Sequence, residues 1–292
     1  MDYGLILPSH GDSTTREGIE AAAEIAERVG FTDIWTTDHL LVDASAAEEY
    51  GRIFEAVTTL AYLAARTKRI RLGASVIVVP MRNAVVLAKE LATIDVLSRG
   101  RLIAGVGVGW SVPEFGNVGL ADRYRVRGAY TDETIRLLRH LWSGATWPFH
   151  GRFHTVDDFV FDPLPDQGAG LPIWIGGRQE AALRRAGRLA DTYHASATNP
   201  AGYAPRIPLI RAAAEAAGRP MPGLSARVRV RLEMPDDGSG YALRGSAEEV
   251  AAEIRAFGAL GVTHLALAFT AHDPAGIEAE VDAFVREVVP LV

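Results

Sequence analysis

The chain has 292 residues, of which 48% are hydrophobic and 23% are charged, as in a well-packed globular protein. Its net charge of −6, from 30 basic and 36 acidic residues, argues against nucleic acid or an anionic membrane surface as a partner. Because there is no cysteine, the sequence excludes disulfides, thiolate nucleophiles, iron–sulfur clusters and cysteine-ligated zinc. No apolar run approaches the ~20 residues of a membrane span and no basic leader precedes the first strand, so we expect a cytoplasmic protein.

Short apolar runs typical of buried strands alternate with longer segments of helical spacing. The spacing predicts strands at 3–7, 33–36, 71–79, 101–106, 172–175, 192–196, 224–233 and 264–269. It predicts helices at 14–29, within 48–66, and at 84–98, 124–142, 180–189, 201–217, 246–260 and 277–288. Eight strand–helix units close a parallel barrel without leaving an edge, so we expect an α/β protein with a (β/α)8 TIM barrel as one domain, 1–292. A doubly wound sheet is the second choice.

Two segments do not fit this alternation. Residues 143–170 contain five aromatic side chains among proline, glycine and aspartate, which predicts an ordered excursion with a short hairpin. The proline- and glycine-rich stretch 235–240 is predicted to be a surface loop.

Polar or glycine-rich segments follow several strands at the point where each strand ends. Asp38 and His39 follow the second strand, and Gly-Gly-Arg at 176–178 follows the fifth. Because the carboxyl ends of parallel strands gather at one face, we expect the functional site there. An imidazole exchanges a proton near neutral pH and an adjacent carboxylate orients polar groups, so this pair is the candidate for chemistry. Packing by His39 and helix capping by Asp38 are the alternatives.

Two catalytic chemistries lack the residues that they need. Lys68 and Lys89 are the two lysines, and neither ends a strand, which leaves no candidate for a Schiff base. The eight histidines are scattered and no His-x-His opens the first strand, so we expect no catalytic metal. The glycines at 105, 107 and 109 do not have the spacing of a dinucleotide-binding turn.

Glycines within or just after the strands indicate a crevice in which a flat cofactor lies against the backbone. They stand at positions 73, 105, 107, 109, 176 and 177. For any single glycine, a tight turn or close packing is the alternative explanation. The 176–178 segment is more specific, because it joins a strand to a helix N-terminus whose N–H groups attract an anion beside the Arg178 guanidinium. We therefore expect a phosphate at this segment.

Five segments together resemble a known family. They are WTTDH at 35–39, GASV at 73–76, GVGVGWSVPEF at 105–115, RGAYTDE at 127–133 and PIWIGG at 172–177. In this order, over nearly the whole chain, they resemble the luciferase-like monooxygenase superfamily and, within it, the branch of oxidoreductases that use the deazaflavin coenzyme F420. The resemblance implies a bacterial luciferase-like TIM barrel with the cofactor across its C-terminal mouth.

The resemblance also implies roles for individual residues. Asp38 would touch the deazaflavin, His39 would donate or accept the proton, and a non-proline cis peptide at Ser75-Val76 would support the ring. The implied cofactor-binding set is Asp38, Ser75, Val76, Gly107, Val108, Gly176, Gly177 and Arg178. His10, Trp110 and His194 are predicted to line the substrate pocket.

One position departs from the pattern of the sugar-phosphate dehydrogenases of this family. They carry a glutamate directly after the glycine run, as a second acid, where this chain has Trp110. The departure argues against sugar-phosphate activity and predicts an apolar or aromatic substrate wall. Glu114 is interpreted as a structural anchor, and Asp132 and Glu133 as helix-surface pairing groups.

The resemblance implies hydride transfer between the C5 atom of F420 and a small organic substrate, in either direction, with His39 handling the coupled proton. One alternative is an FMN-dependent monooxygenase that receives reduced flavin from a separate reductase. Another is a non-catalytic flavin-binding barrel. A homodimer is expected from the family.

Overall fold

The protein is a closed barrel of parallel strands surrounded by helices, in a computed structural model that describes residues 1–234, 238 and 240–292. The strands in this range are β1 (Asp2–Ile6), β2 (Asp33–Thr36), β3 (Arg71–Ala74), β4 (Ile77–Val78), β5 (Leu102–Gly107), β6 (Phe149–His150), β7 (Thr155–Val156), β8 (Ile173–Gly176), β9 (Thr192–Ser196), β10 (Gly223–Leu232), β11 (Ala242–Gly245) and β12 (His264–Ala268). The predicted loop at 235–240 falls largely outside the described residues.

Helices follow the barrel strands along the chain. They are α1 (Arg16–Val29), α2 (Ala47–Tyr50), α3 (Ala56–Arg66), α4 (Ala84–Ser98), α5 (Val112–Asn117), α6 (Ala121–Trp142), α7 (Glu180–Leu189), α8 (Pro200–Tyr203), α9 (Arg206–Ala216), α10 (Ala247–Ala259) and α11 (Pro274–Ala283), which continues as a π-helical turn at Phe284–Val288. None of the helices in the described part of the chain is long and apolar enough to cross a membrane.

The barrel closes because its last strand pairs with its first. The order is β1-β2-β3-β5-β8-β9-β10-β12, with β4 continuing the third position beside β5. In the closing pair, Asp2 lies opposite His264, and every pairing within the barrel is parallel. All the carboxyl ends therefore meet at one mouth, and the predicted (β/α)8 barrel is confirmed.

Local sequence signals place the ends of the helices. The Thr15 side chain accepts the N–H of Gly18 at the start of α1, and Gly30 ends that helix in the left-handed region with φ 84°. The predicted helix at 201–217 is instead two helices, α8 and α9. Pro205 lies between them and has no N–H with which to continue the hydrogen bonds of α8, although Ala204 before it keeps helical backbone angles.

The excursion at 143–170 contains the predicted hairpin, since β6 and β7 pair in an antiparallel manner. Glu133 of α6, a buried side chain, holds it by accepting the backbone N–H groups of Arg152, Phe153 and His154 at 2.8, 2.7 and 2.8 Å. Its interpretation as a helix-surface group is therefore wrong. Asp132 on the same helix forms ion pairs with α7.

An apolar layer fills part of the barrel interior and explains two of the glycines. The layer consists of Ile6, Trp35, Ile103, Trp174 and Ala266. A Cβ atom at position 73 would clash with the Trp35 ring, and one at position 105 would clash with the carbonyl of Ala74. These two glycines serve packing below the mouth, which is the alternative explanation given above.

Candidate active site

A cavity of about 1050 Å³ opens at the mouth where the strands end. Most of the residues predicted for the site line it. They are His10, Asp38, His39, Ser75, Val76, Val108, Trp110, Gly176, Gly177 and Arg178.

Two predicted residues lie behind the cavity surface. A Cβ at Gly107 would clash with the Val76 side chain, so Gly107 allows Val76 to pack closely against β5. His194 is only 1% exposed and forms a hydrogen bond from Nε2 to the Ser75 hydroxyl at 2.9 Å. The prediction places His194 at the substrate pocket. In the structure it does not line the cavity, because Ser75 lies between His194 and the cavity.

His39 forms a buried pair with Glu114. The Nδ1 atom of His39 lies 2.8 Å from Oε2 of Glu114, and the two side chains are 6% and 1% exposed. Glu114 Oε1 accepts the backbone N–H of Leu40 at 2.6 Å. Burial raises the pKa of Glu114, but the hydrogen bonds from His39 and Leu40 outweigh it and hold the pKa below its usual value.

An ionised Glu114 accepts hydrogen bonds and cannot donate them, so it fixes the hydrogen of neutral His39 on Nδ1. The lone pair is then on Nε2, which has no hydrogen-bond partner within the described residues. His39 lines the cavity and is thus arranged to exchange a proton there. Sequence reasoning missed this role of Glu114, which is 75 residues from His39 along the chain.

Both carboxylate oxygens of Asp38 already have partners. Oδ2 accepts the backbone N–H of Val78 at 2.7 Å, and Oδ1 accepts from the Arg82 guanidinium at 2.6 Å. Arg82 also bonds to Glu55 at 2.7 Å. Asp38 thus ties the end of β2 to the segment after the cis peptide, and its contact with a cofactor stays a prediction.

Aromatic rings surround His39 on the cavity side. Its ring centroid lies 4.3 Å from that of Tyr50 and 5.6 Å from that of Trp110. Trp110 is 57% exposed. Tyr50 and Trp110 thus form an aromatic part of the cavity wall beside the imidazole of His39, and Trp110 is the residue for which the sequence predicts an apolar or aromatic substrate wall.

The Ser75-Val76 peptide bond is cis, as the family resemblance implies. It lies on the cavity surface between β3 and β4, and Arg227 from β10 donates to the Ser75 carbonyl at 2.9 Å. Both residues of the bond line the cavity, so the bond forms part of the cavity wall.

The segment 176–178 has the geometry of an anion site. Gly177 has φ 136°, and a Cβ there would lie 2.5 Å from that of Ala182. The next residue, Gln179, is the N-cap of α7 but its side chain accepts no N–H of that helix. The first N–H groups of α7 are therefore available to an anion beside Arg178.

A row of arginines extends the positive charge of the cavity. Arg227, Arg229 and Arg231 occupy alternate positions of β10 and all line the cavity, because side chains two residues apart share a face of a strand. The period of two is visible in the sequence of the predicted strand 224–233, but sequence reasoning assigns no role to its arginines. Among the described residues, no cluster of histidine, aspartate and glutamate has a geometry that could hold a metal ion.

Comparison with known proteins places this geometry in a family. The model of the luciferase-like monooxygenase family matches residues 1–234. An F420-dependent glucose-6-phosphate dehydrogenase of Amycolatopsis mediterranei is 30% identical over 76% of this chain and 66% of its own length. An FMNH2-dependent dimethylsulfone monooxygenase of Pseudomonas putida is 32% identical over 67% of this chain and 53% of its own. The matched region thus spans less than two thirds of either relative.

Solved structures match the whole fold. An F420-dependent secondary alcohol dehydrogenase superposes with a TM-score of 0.83 at 21% identity, covering 100% of this chain and 98% of that one. At this identity the likeness establishes the fold alone. The family match over residues 1–234, which is more than half of the chain, shows that this chain belongs to the luciferase-like monooxygenase family.

Proposed function

We propose that the protein is an F420-dependent oxidoreductase that transfers a hydride between the deazaflavin C5 atom and a small organic substrate. The observation that carries the proposal is the His39–Glu114 pair at the cavity wall, since it supplies an acid–base group next to an aromatic substrate surface. Similarity to an F420-dependent dehydrogenase supports the choice of cofactor.

The residues present fit a flat cofactor with an anionic tail. Gly176 and Gly177 line the cavity with backbone atoms, since a Cβ at either position would clash with the packed side chain of Val76 or Ala182. The uncapped N-terminus of α7 and Arg178 follow directly and would hold a phosphate. Ser75 and Val76 form the wall against which a ring would rest. The arginines of β10 line the same cavity and would bind further anionic groups of the tail besides the phosphate.

Within this assignment, the bound F420 supplies the hydride chemistry at C5 and the chain supplies the proton. His39 exchanges the proton at Nε2, while Glu114 holds the ring through Nδ1 and stabilises the imidazolium that forms when the ring is protonated. Tyr50 and Trp110 offer aromatic surface to a substrate beside His39. Since Trp110 replaces the glutamate of sugar-phosphate dehydrogenases, we propose an apolar or aromatic substrate instead of a sugar phosphate.

Use of FMN is the second candidate, because an FMNH2-dependent monooxygenase is also a relative. It would bind in the same cavity, with its phosphate at the 176–178 segment. That reading requires a separate reductase as partner, whereas the F420 reading requires an enzyme that regenerates the cofactor. A homodimer is part of either proposal.

The first experiment is titration of the purified protein with F420 and with FMN, followed by cofactor fluorescence. Tight binding of F420 and weak binding of FMN is expected, and preference for FMN would overturn the assignment. Reduced F420 is then screened against unsaturated and carbonyl compounds, and oxidised F420 against alcohols. In His39→Gln, loss of turnover with unchanged F420 affinity is expected, whereas unchanged turnover would remove His39 from the mechanism.

A further inference from the structure

A chain of five buried polar side chains runs through the barrel beneath the cavity. It begins at Ser75 on the cavity surface and ends at Asp33, the first residue of β2, and its members are at most 8% exposed. The hydrogen bonds are Ser75 Oγ to His194 Nε2 (2.9 Å), His194 Nδ1 to Ser225 Oγ (2.8 Å), Ser225 Oγ to His264 Nδ1 (2.7 Å) and His264 Nε2 to Asp33 Oδ1 (2.9 Å). This row of hydrogen bonds connects the cavity with the opposite end of the barrel, where β2 and β12 begin.

Asp33 fixes the direction of the hydrogens in this chain. Its Oδ1 also accepts from the Trp35 indole, and its Oδ2 accepts from the Thr32 hydroxyl at 2.7 Å. Burial raises the pKa of Asp33, but the charge and hydrogen bond of His264, with those of Thr32 and Trp35, outweigh it and keep the pKa below its usual value. Asp33 is therefore an ionised acceptor, and His264 must donate to it from Nε2.

The remaining positions follow in order while both histidines are neutral. The Nδ1 atom of His264 accepts from Ser225, the Ser225 oxygen accepts from Nδ1 of His194, and Nε2 of His194 accepts from Ser75. The Ser75 oxygen then offers only lone pairs to the cavity. One extra proton on His264 reverses all three bonds, and Ser75 becomes a donor toward the cavity.

We propose that these five residues form a relay that moves one proton between the Ser75 hydroxyl at the cavity and the His264–Asp33 pair inside the barrel. In the inward direction, a ligand O–H or N–H gives its proton to Ser75 Oγ, the Ser75 proton passes to His194 Nε2, the Nδ1 proton of His194 passes to Ser225, and the Ser225 proton passes to His264 Nδ1. Four bonds to hydrogen break and four form, with no electron transferred. The relay rests on the proposed function, in which it gives the reacting ligand a second proton site besides His39.

The two histidines have different roles in the relay: His194 passes the proton on, and His264 is where the proton ends. Burial lowers the pKa of His194 to about 3, with the charges of His264 and Arg227 in the same direction, so His194 stays neutral and only passes the proton. His264 lies 2.9 Å from the Asp33 carboxylate through Nε2, so its Nδ1 is the last atom in the series of hydrogen bonds that can gain hydrogen. Arg71 also lies near Asp33. Arg71 and Arg227 do not exchange protons with the histidines, because a guanidinium stays charged in proteins.

Nuclear magnetic resonance of the full chain, 15N-labelled in histidine and free of cofactor, tests the relay. Long-range 1H–15N correlations show which ring nitrogen carries hydrogen. Near neutral pH, His194 is expected to carry it on Nδ1. At a pH at which both ring nitrogens of His264 carry hydrogen, the hydrogen of His194 is expected to lie on Nε2, although His194 itself stays neutral.

Ser225→Ala interrupts the relay at its centre without touching the cavity. In this variant the tautomer of His194 is expected to stay the same whether or not both ring nitrogens of His264 carry hydrogen. Ser98→Ala removes another buried serine hydroxyl, one that bonds to the Asp95 carbonyl and to none of the five residues, and should leave the coupled change of the His194 tautomer intact.

Three results would overturn the proposal. The first is a wild-type His194 whose tautomer is the same whether or not both ring nitrogens of His264 carry hydrogen. The second is a His264 whose Nδ1 carries no hydrogen at any pH at which the protein is folded. The third is a Ser225→Ala variant in which the His194 tautomer still changes. Because no cofactor is present in these measurements, their failure is separate from failure of F420 binding.

Discussion

Replacing Glu114 by glutamine keeps the shape of the side chain and removes its charge. The amide oxygen can still accept the N–H of Leu40, but the amide nitrogen then faces Nδ1 of His39 and donates to it. Neutral His39 must therefore carry its hydrogen on Nε2, where the wild type has its lone pair. The variant therefore changes the tautomer of His39 while the ring keeps its place beside residue 114.

The expected effects follow from the two short hydrogen bonds. A bond to a charged group contributes about 1.5–3 kcal/mol and a neutral one about 0.5–1.5 kcal/mol, so the free energy of unfolding should fall by about 2–3 kcal/mol at pH 7. Turnover should fall by about 100-fold or more, since general acid–base catalysis contributes at least that much. The affinity for F420 should not change.

The loss of stability should also depend on pH. The pKa of Glu114 is lower in the folded protein than in the unfolded chain. Its carboxylate therefore stabilises the fold fully above the unfolded-state pKa of about 4.3, and this contribution disappears as the pH falls through the lower folded-state value. The difference between wild type and variant should shrink in acid.

The assays are urea unfolding across this pH range, F420 titration, and turnover of a substrate identified in the screen. Glu133→Gln is a matched control, because Glu133 is also buried and accepts three backbone N–H groups away from the cavity. It should lose similar stability and keep its turnover. Equal loss of turnover in both variants, or none in Glu114→Gln, would refute the orienting role of Glu114.

Three further predictions concern other parts of the molecule. Arg101→Met should lower the free energy of unfolding by about 3 kcal/mol or more without changing F420 affinity, because it leaves the carbonyls of Ala64, Thr67 and Ile70 without their donor; urea unfolding and cofactor titration measure this. Gly177→Ala should weaken the binding of F420 by roughly tenfold, because backbone strain of about 1–3 kcal/mol would distort the 176–178 segment. The control Gly30→Ala, also at positive φ but in open space and not in the cavity wall, should lose stability and keep its affinity for F420. Burial lowers the pKa of His10 to about 4, so the stability that the neutral ring contributes is complete above about pH 6.5 and is lost as the pH falls toward 4. His10→Asn should flatten this part of a curve of Tm against pH, and an unchanged curve would contradict the prediction.

The barrel could be predicted because each strand is a short apolar run bounded by glycine or a polar residue, and each helix has its own end signals. β11 was not predicted, since Ala242–Gly245 has no apolar alternation and gains its strand structure by pairing with the extension of β10. The break between α2 and α3 was not predicted either. It depends on Glu55, whose side chain caps α3 by accepting two N–H groups.

The site shows a sharper limit. Asp38, His39 and the 176–178 segment could be found because they stand at strand ends. Glu114 could not be paired with His39, because the contact joins residues far apart in sequence. Likewise His264 and Asp33 stand at the starts of strands, where nothing in the local sequence indicates that they share a hydrogen bond inside the barrel.

The excursion at 143–170 offers a practical site for attaching a probe. All its residues are described and none of them lines the cavity, and Val160 within it is 92% exposed. Since the chain has no cysteine, Val160→Cys would introduce a single reactive thiol. A surface linker attached there would immobilise the protein in one orientation without blocking any residue that lines the cavity.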